Sequence, residues 1–146
     1  MKVYQLILAA LLNSPRVFAV SPHFVSAGAK CVDEDLQVCF KEAGLGTNQL
    51  INVELSALET STTTCPNRGA KNQKPPGLTE STTPQSQPGE FNSGKNGQIN
   101  SCLTIRCLPA GDCPPGTNQV NTCSYSSITL TDTTNGVEED LPNLSC

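Results

Sequence analysis

Eight cysteines are the residues of this 146-residue chain whose type and number point most directly to chemistry. An even number of cysteines is typical of disulfides in an exported protein, because an oxidising compartment favours the bonded state. A structural zinc site is the alternative, but no Cys-x-x-Cys pair occurs, and the single histidine, His23, lies outside the cysteine cluster. We therefore predict a disulfide framework with no metal, for which roughly a hundred pairings exist. The cysteines are Cys31, Cys39, Cys65, Cys102, Cys107, Cys113, Cys123 and Cys146.

Catalytic groups are scarce. A serine or cysteine nucleophile would need His23 as its base, and no Gly-x-Ser-x-Gly motif is present. Glu54, Glu59 and Glu90 would serve as a hydrolytic carboxylate pair only if two of them faced each other across a cleft, which a sequence does not show. The glycines match neither a phosphate loop nor a dinucleotide fingerprint. We predict that the protein is not an enzyme and has neither catalytic nor cofactor-binding residues.

Two acidic runs offer oxygen ligands for calcium. They are residues 33–35 (Asp-Glu-Asp) and 138–140 (Glu-Glu-Asp). Calcium needs six or more ligands, and neither run has the glycine and the spacing of an EF-hand loop. We interpret both runs as solvated surface and predict no metal site.

The first 19 residues are predicted to be a signal peptide. Lys2 gives a basic start, residues 3–12 form an apolar run broken only by Gln5, and Ala19 closes a small-x-small cleavage pattern. Cleavage after Ala27 or Ala29 is the alternative. A membrane anchor would need about 20 apolar residues, and polar residues 13–16 end this run too early. We predict a secreted protein, with an extended leader over residues 20–30.

The charge of the mature chain limits its partners. Without the signal peptide, seven basic residues remain against thirteen acidic ones, a net charge of about −6. Nucleic acids and anionic membranes attract basic surfaces, so we expect neither as a partner, and no later apolar segment predicts membrane insertion. Asn143 begins the one glycosylation sequon, Asn143-Leu144-Ser145, and is the predicted acceptor.

Alternating apolar and polar residues predict an all-β domain over 31–146, a disulfide-stapled β-sandwich or small barrel. Strands are expected around 36–40, 50–64, 99–105, 125–131 and 137–141, with turns at Asn96-Gly97 and Asn135-Gly136. Residues 66–97 are rich in Pro, Gly, Ser and Thr, and we predict a long exposed polar loop there, with residues 89–91 as a candidate brief strand inside it. A second, cysteine-rich loop is predicted over 106–121. With no Trp and few other aromatic residues, the core needs the stabilisation that disulfides supply.

Five short segments together resemble a family of uncharacterised small secreted β-rich proteins of actinobacteria and filamentous fungi. The resemblance covers residues 36–140. The cysteine-rich members of the family look like apoplastic effectors and elicitors. The segments are Phe40-Lys41-Glu42-Ala43-Gly44-Leu45-Gly46, Lys95-Asn96-Gly97-Gln98-Ile99, Cys113-Pro114-Pro115-Gly116, Ser124-Tyr125 and Leu130-Thr131-Asp132-Thr133-Thr134-Asn135-Gly136.

The resemblance implies a pairing and a function. The two cysteines that recur in simpler relatives match Cys65 and Cys113, so these two are expected to pair, and the other six are additions. The expected function is that of a fungal virulence effector or elicitor, which recognises an extracellular host protein or receptor without catalysis. An inhibitor of an extracellular protease or glycosidase, inserting the preordered loop 106–121, is the alternative.

Overall fold

The computed structural model describes residues 20–66 and 77–146, so the predicted signal peptide, 1–19, lies outside the described residues. It confirms the all-β fold: eight antiparallel strands form two open sheets packed as a sandwich. The smaller sheet has the order β1-β2-β5, and the larger has β4-β3-β6-β7 with β8 beside β6. The strands are β1 (His23–Val32), β2 (Asp35–Ala43), β3 (Leu50–Cys65), β4 (Gly77–Asn92), β5 (Ile99–Ile105), β6 (Val120–Asp132), β7 (Val137–Leu141) and β8 (Leu144–Ser145).

The core lies between the two sheets and follows the period-two pattern of the strands. In β3, odd-numbered residues from Ile51 to Thr63 are buried, and the even-numbered ones face outward. Burying each large aliphatic side chain stabilises the fold by roughly 1.5–3 kcal/mol. The core side chains of β2, β3, β5 and β6 include Leu36, Val38, Phe40, Ile51, Val53, Leu55, Ile99, Leu103, Ile105, Tyr125, Ile128 and Leu130.

A bulge keeps β6 in phase with this core. Ser56 pairs with Thr129 and Leu58 pairs with Ser126, so β6 has one residue more than β3 over this interval. Ser127 has a positive φ of 49° and takes up the extra position. Because of the bulge, both Tyr125 and Ile128 face the core although their numbers differ in parity.

The predicted loop over 66–97 is wrong for residues 77–88, because residues 77–92 form one strand, β4, which pairs with β3 along its whole length and includes the brief strand expected at 89–91. The prolines and the shortage of aliphatic residues favour a loop, but the position of β4 at the edge of the sheet explains why a strand tolerates the prolines. The amide of Asn52 bonds to Thr134, away from β4, so even-numbered residues of β3 direct their backbone groups away from β4. Pro84 and Pro88 lie opposite even-numbered residues, and neither removes a bond to β3. The predicted exposure is confirmed for most of the strand; residues 67–76 lie outside the described part.

The predicted leader over 20–30 is also corrected, because most of it belongs to β1, which pairs with β2. Phe24, Ala27 and Ala29 pack against the core, and the Phe24 ring meets Phe40 edge-on with centroids 5.9 Å apart. Small residues dominate this segment and a bulge interrupts it after Phe24, so its sequence shows little of the alternation that predicts a strand. Cleavage after Ala27 or Ala29 would remove about half or more of β1, whereas cleavage after Ala19 leaves the strand whole.

All eight cysteines are paired. Cys65–Cys113, the pair expected from the resemblance, is confirmed. Cys39–Cys102 links directly opposed residues of β2 and β5 within the smaller sheet. Cys107 lies just after β5, and its bridge to Cys123 connects that part of the chain to β6 in the larger sheet. Cys31–Cys146 fastens β1 to the C-terminus. The bridges therefore hold the two sheets together as well as their individual strands.

Candidate functional site

The three glutamates considered for catalysis do not converge. Glu59 has the odd parity of β3 and is buried, whereas Glu54 has the even parity and lies on the outer face. Glu90 pairs with Asn52 and shares that outer face with Glu54, where the two are diagonal neighbours on an open sheet. Glu54 accepts a hydrogen bond from the hydroxyl of Ser86. No two of these carboxylates face each other across a cleft, so their positions give no support to hydrolysis by a carboxylate pair.

The two acidic runs have structural contacts. In the first, the Asp35 carboxylate accepts a hydrogen bond from the Cys107 amide at 2.8 Å, and the Glu34 carbonyl accepts one from the Tyr125 hydroxyl at 3.0 Å. In the second, the Asp140 carboxylate accepts a hydrogen bond from Thr129 at 3.0 Å. Within residues 20–66 and 77–146, no three acidic, histidine or cysteine side chains form a group that could hold a metal ion.

A buried pair of carboxyl groups, which was not predicted from the sequence, connects the two sheets. Glu42 on β2 and Asp132 on β6 are both fully buried. Burial raises the pKa of Glu42 to about 8, and a hydrogen bond and electrostatic repulsion from Asp132 raise it too. An ionised Glu42 would leave both of its oxygens without a partner. At neutral pH Glu42 is therefore protonated, and its hydroxyl group donates a hydrogen bond to the Asp132 carboxylate.

Asp132 has a second role, as the cap of the turn between β6 and β7. Its carboxylate accepts hydrogen bonds from the amides of Thr134 at 2.8 Å and Asn135 at 3.0 Å, and from the Asn135 side chain at 2.6 Å. Asp132 therefore joins the buried pair to the turn between β6 and β7. One signal was visible in the sequence: Glu42 continues the buried alternation of Leu36, Val38 and Phe40.

Glu59 is the third buried carboxyl, and it supports the loop after β5. One of its oxygens accepts a hydrogen bond from the Leu108 amide at 3.2 Å, and the other has no partner among the described residues. Burial raises the pKa of Glu59; the Leu108 bond opposes this change, and Asp35 reinforces it. Opposite Glu59 on β6, burial likewise raises the pKa of Tyr125, with Glu59 and Asp35 adding to the effect. Glu59 therefore fixes a loop from inside the core.

The predicted cysteine-rich loop is present over 106–119, since β6 begins at Val120. Bridges at Cys107 and Cys113 anchor it to the larger sheet. The Thr63 hydroxyl accepts hydrogen bonds from the amides of Ala110 at 2.9 Å and Gly111 at 3.3 Å, and donates one to the Asn121 side chain at 2.8 Å. The loop is thus held by covalent and polar contacts while it exposes Leu108.

Replacing Thr63 by valine is expected to loosen this loop. Thr63→Val keeps the shape of the side chain but leaves two amides without their acceptor, which costs roughly 1–3 kcal/mol. Denaturant unfolding measures the loss, and faster hydrogen exchange at Ala110 and Gly111 locates it. Thr62→Val on the outer face of the same strand is the control and should change stability by less than about 0.5 kcal/mol. Equal losses in the two variants would contradict the role of Thr63.

Basic residues are unevenly distributed between the two sheets. No Lys or Arg occurs in any of the five strands of the larger sheet, whereas the smaller sheet contains Lys30 and Lys41 beside the acidic Asp35 and Glu42. No strand within residues 20–66 and 77–146 covers the outer face of the larger sheet, which consists mainly of serine and threonine with scattered carboxylates. Its acidic residues are Glu54, Glu80, Glu90, Glu138 and Asp140.

Two open grooves lie on the surface of the described residues. One, of about 460 Å³, lies at the β6 bulge and is lined by residues including Leu58, Pro84 and Ser127. The other, of about 480 Å³, is lined by residues including Val20, Thr47 and Lys95. Neither groove contains a titratable cluster, so neither suggests a reaction.

Asn143, the predicted glycosylation acceptor, is exposed between β7 and β8. The Cys31–Cys146 bridge lies three residues further along the chain. An exposed position is compatible with modification, and glycosylation of Asn143 stays a prediction.

The comparisons with known proteins identify no relative: no family model, curated protein or solved structure matches this chain. The residues that the structure describes include no helix long and apolar enough to cross a membrane. Four disulfides are consistent with an extracellular or otherwise oxidising environment.

Proposed function

We propose that the protein is a secreted recognition protein, an effector or elicitor that acts in the extracellular space by binding a host protein. The observation that carries this proposal is the larger sheet, whose long polar outer face and edge strand are exposed on a scaffold closed by four disulfides. A rigid scaffold with an exposed polar surface suits binding, because little conformational entropy is lost when the complex forms.

The bridges also suit an environment that contains proteases. A protease cuts a chain that has opened locally, and each bridge restricts such opening. Cys31–Cys146 protects β1 and β8, the strands nearest the two ends of the described chain. The resemblance to secreted fungal proteins supports the remaining step, from an extracellular protein to a virulence factor that acts on a host.

Infiltration of the purified mature protein into leaf tissue tests the elicitor function. Cell death or an immune response is expected with the folded protein. The matched control is the same protein after reduction and alkylation, which removes the fold without changing the sequence. No response to the folded protein at any dose, or an equal response to both forms, would contradict the proposal.

The loop over 106–119 supports a second candidate, inhibition of an extracellular enzyme. Its two bridges and its bonds to Thr63 preorder it, and Leu108 projects from it with 49% of its surface exposed. A preordered loop with an apolar side chain is suited to insertion into an active-site cleft.

Affinity capture from secreted host fluid distinguishes the two candidates. A stoichiometric protease or glycosidase complex that Leu108→Asp abolishes would favour inhibition. Capture of a receptor ectodomain by both the wild type and Leu108→Asp would favour elicitation. Pro109→Ala is the control, since it changes the loop next to Leu108 without adding a charge.

A further inference from the structure

One edge of β4 is free in the part of the chain that the structure describes. β4 pairs with β3 on one side and with no other described strand, so it forms one edge of the larger sheet. Exposed edges pair readily with additional strands, and natural proteins block them with proline, charge or a covering segment. How β4 is blocked, and where it is not, therefore indicates where another chain could bind.

The register shows which backbone groups of β4 are free. Gln49 and Ser93 exchange hydrogen bonds at the start of the β3–β4 pair, whereas Asn52 bonds toward Thr133 and Thr134 on the opposite side. Odd-numbered residues of β3 thus bond to β4. Even-numbered residues of β4 lie opposite even-numbered residues of β3, so their N–H and C=O groups point out of the sheet.

Proline blocks only part of this edge. Pro84 and Pro88 occupy outward-pointing positions and remove the outward amides there. Leu78, Glu80 and Thr82 are also outward-pointing, and each keeps both its N–H and its C=O. No backbone or side-chain group within residues 20–66 and 77–146 bonds to these three amides. The unblocked stretch is therefore Leu78 to Thr82, and Pro84 marks its end.

We propose that this stretch, the β4 edge site, binds an extended segment of a partner protein as an additional strand of the larger sheet. This inference rests on the proposed recognition function and names the surface that performs it. Main-chain hydrogen bonds to residues 78, 80 and 82 provide affinity, and side chains at alternate positions provide specificity. Pro84 sets the register, because the added strand cannot continue its bonds past it.

Charge indicates the chemistry of the partner segment. Glu80 projects from the middle of the β4 edge site, the larger sheet has no Lys or Arg, and the mature chain has a net charge of about −6. Opposite charges on neighbouring strands are favourable. Leu78 is 66% exposed at one end of the site and offers an apolar contact. The segment that fits best has Lys or Arg beside Glu80 and an apolar residue beside Leu78.

The same residues disfavour a second copy of this chain as the occupant. A two-fold symmetric antiparallel pair centred on the unblocked stretch would place Glu80 against Glu80, and like charges in directly opposed positions are destabilising. Repulsion between two chains that each have a net charge of about −6 adds to this effect. A basic, extended segment of another protein avoids both costs.

Selection from a displayed library of random linear peptides on the immobilised mature protein tests the β4 edge site. Peptides of roughly eight residues are long enough to span it. We expect enrichment of Lys or Arg together with β-branched or aromatic residues. A synthesised winner should slow hydrogen exchange at the amides of Leu78, Glu80 and Thr82, while the amides of Thr79 and Ser81, which already bond to β3, change little.

Two proline variants provide matched controls. Thr82→Pro removes an outward amide from the site without breaking a backbone bond to β3, although it also removes the hydroxyl contact with Thr60, and it should weaken binding of the peptide roughly ten-fold or more. Ser86→Pro makes the matching change between Pro84 and Pro88, where the edge is already blocked. It likewise removes one hydroxyl contact with β3, to Glu54, and should leave binding unchanged. Glu80→Lys, as a single substitution, should also weaken the binding of basic peptides, because it replaces attraction at this position by repulsion. Thermal unfolding confirms that each variant is folded.

Several outcomes would overturn the inference. They are equal peptide binding by the wild type and Thr82→Pro, protection of amides elsewhere, selection of no peptide, and a dimer formed through β4 at working concentrations. If Thr82→Pro still captures the host partner, the site is wrong and the recognition function stands. If peptides bind the site but no host partner or response is found, the failure lies in the proposed function.

Discussion

Raising the pH from about 4.5 to about 8 is expected to lower the free energy of unfolding by several kcal/mol, because Glu42 titrates across this range. The unfolded chain releases the Glu42 proton near pH 4.5, whereas the folded protein holds it up to about pH 8. Between these values the folded state binds more protons, so its stability falls as the pH rises. The stabilising contribution of Glu42 is fully present below pH 4.5, where both states are protonated at this position, and is lost above about pH 8.

The size of the effect follows from the difference in proton affinity. A ten-fold difference is worth about 1.4 kcal/mol, so a pKa raised from 4.5 to about 8 corresponds to roughly 4–5 kcal/mol. Glu59, whose pKa is also raised by burial, acts in the same direction. Urea unfolding at closely spaced pH values between 4 and 9 measures the slope.

Glu42→Gln isolates the contribution of Glu42. Glutamine retains a donor for the Asp132 carboxylate but carries no titrating proton, so this variant should lose most of the slope and keep only the part due to Glu59. Glu90→Gln, an exposed substitution on β4, is the control and should follow the wild type. A wild-type stability that is flat or rises between pH 5 and 8 would contradict the buried carboxyl pair, as would an unchanged slope in Glu42→Gln.

Removing the Cys31–Cys146 bridge is expected to lower the free energy of unfolding by roughly 3–5 kcal/mol. The bridge closes a loop of 115 residues, and a bridge that closes a longer loop restricts the unfolded chain more. The double variant Cys31→Ala with Cys146→Ala should also release β8 and the end of β1. Denaturant unfolding gives the loss of stability, and hydrogen exchange at residues 144–146 and 28–32 shows where the chain opens.

The Cys39–Cys102 bridge provides the comparison. It joins residues that already face each other in neighbouring strands, and its loop spans 63 residues, so its removal should cost less and should not release either end. Equal losses in the two double variants, or no gain in exchange at the C-terminus when Cys31 and Cys146 are replaced, would show that the long bridge does not act as described.

Most of the strands were predictable because their residues alternate between core and solvent. Leu36, Val38 and Phe40 predicted β2, the run from Leu50 predicted β3, and the turn at Asn135-Gly136 predicted the β6–β7 hairpin. Periodicity is a local property, and each of these segments buries one face against the same core.

Other features depended on neighbours that a sequence does not show. β4 has few apolar residues and two prolines, so its composition indicates a loop; only its position at a sheet edge makes it a strand. The bulge at Ser127 is defined by the mismatch with β3. Glu42 and Asp132 are 90 positions apart in the numbering, and their contact depends on how the two sheets pack.

The strands of the larger sheet have acidic side chains and no basic ones, whereas Lys30 and Lys41 lie in the smaller sheet. A negative potential along these strands raises the rate at which a basic segment encounters them by diffusion, and dissolved salt screens that potential. The association rate of a basic segment with β4 should therefore fall as the ionic strength rises, while its dissociation rate changes little.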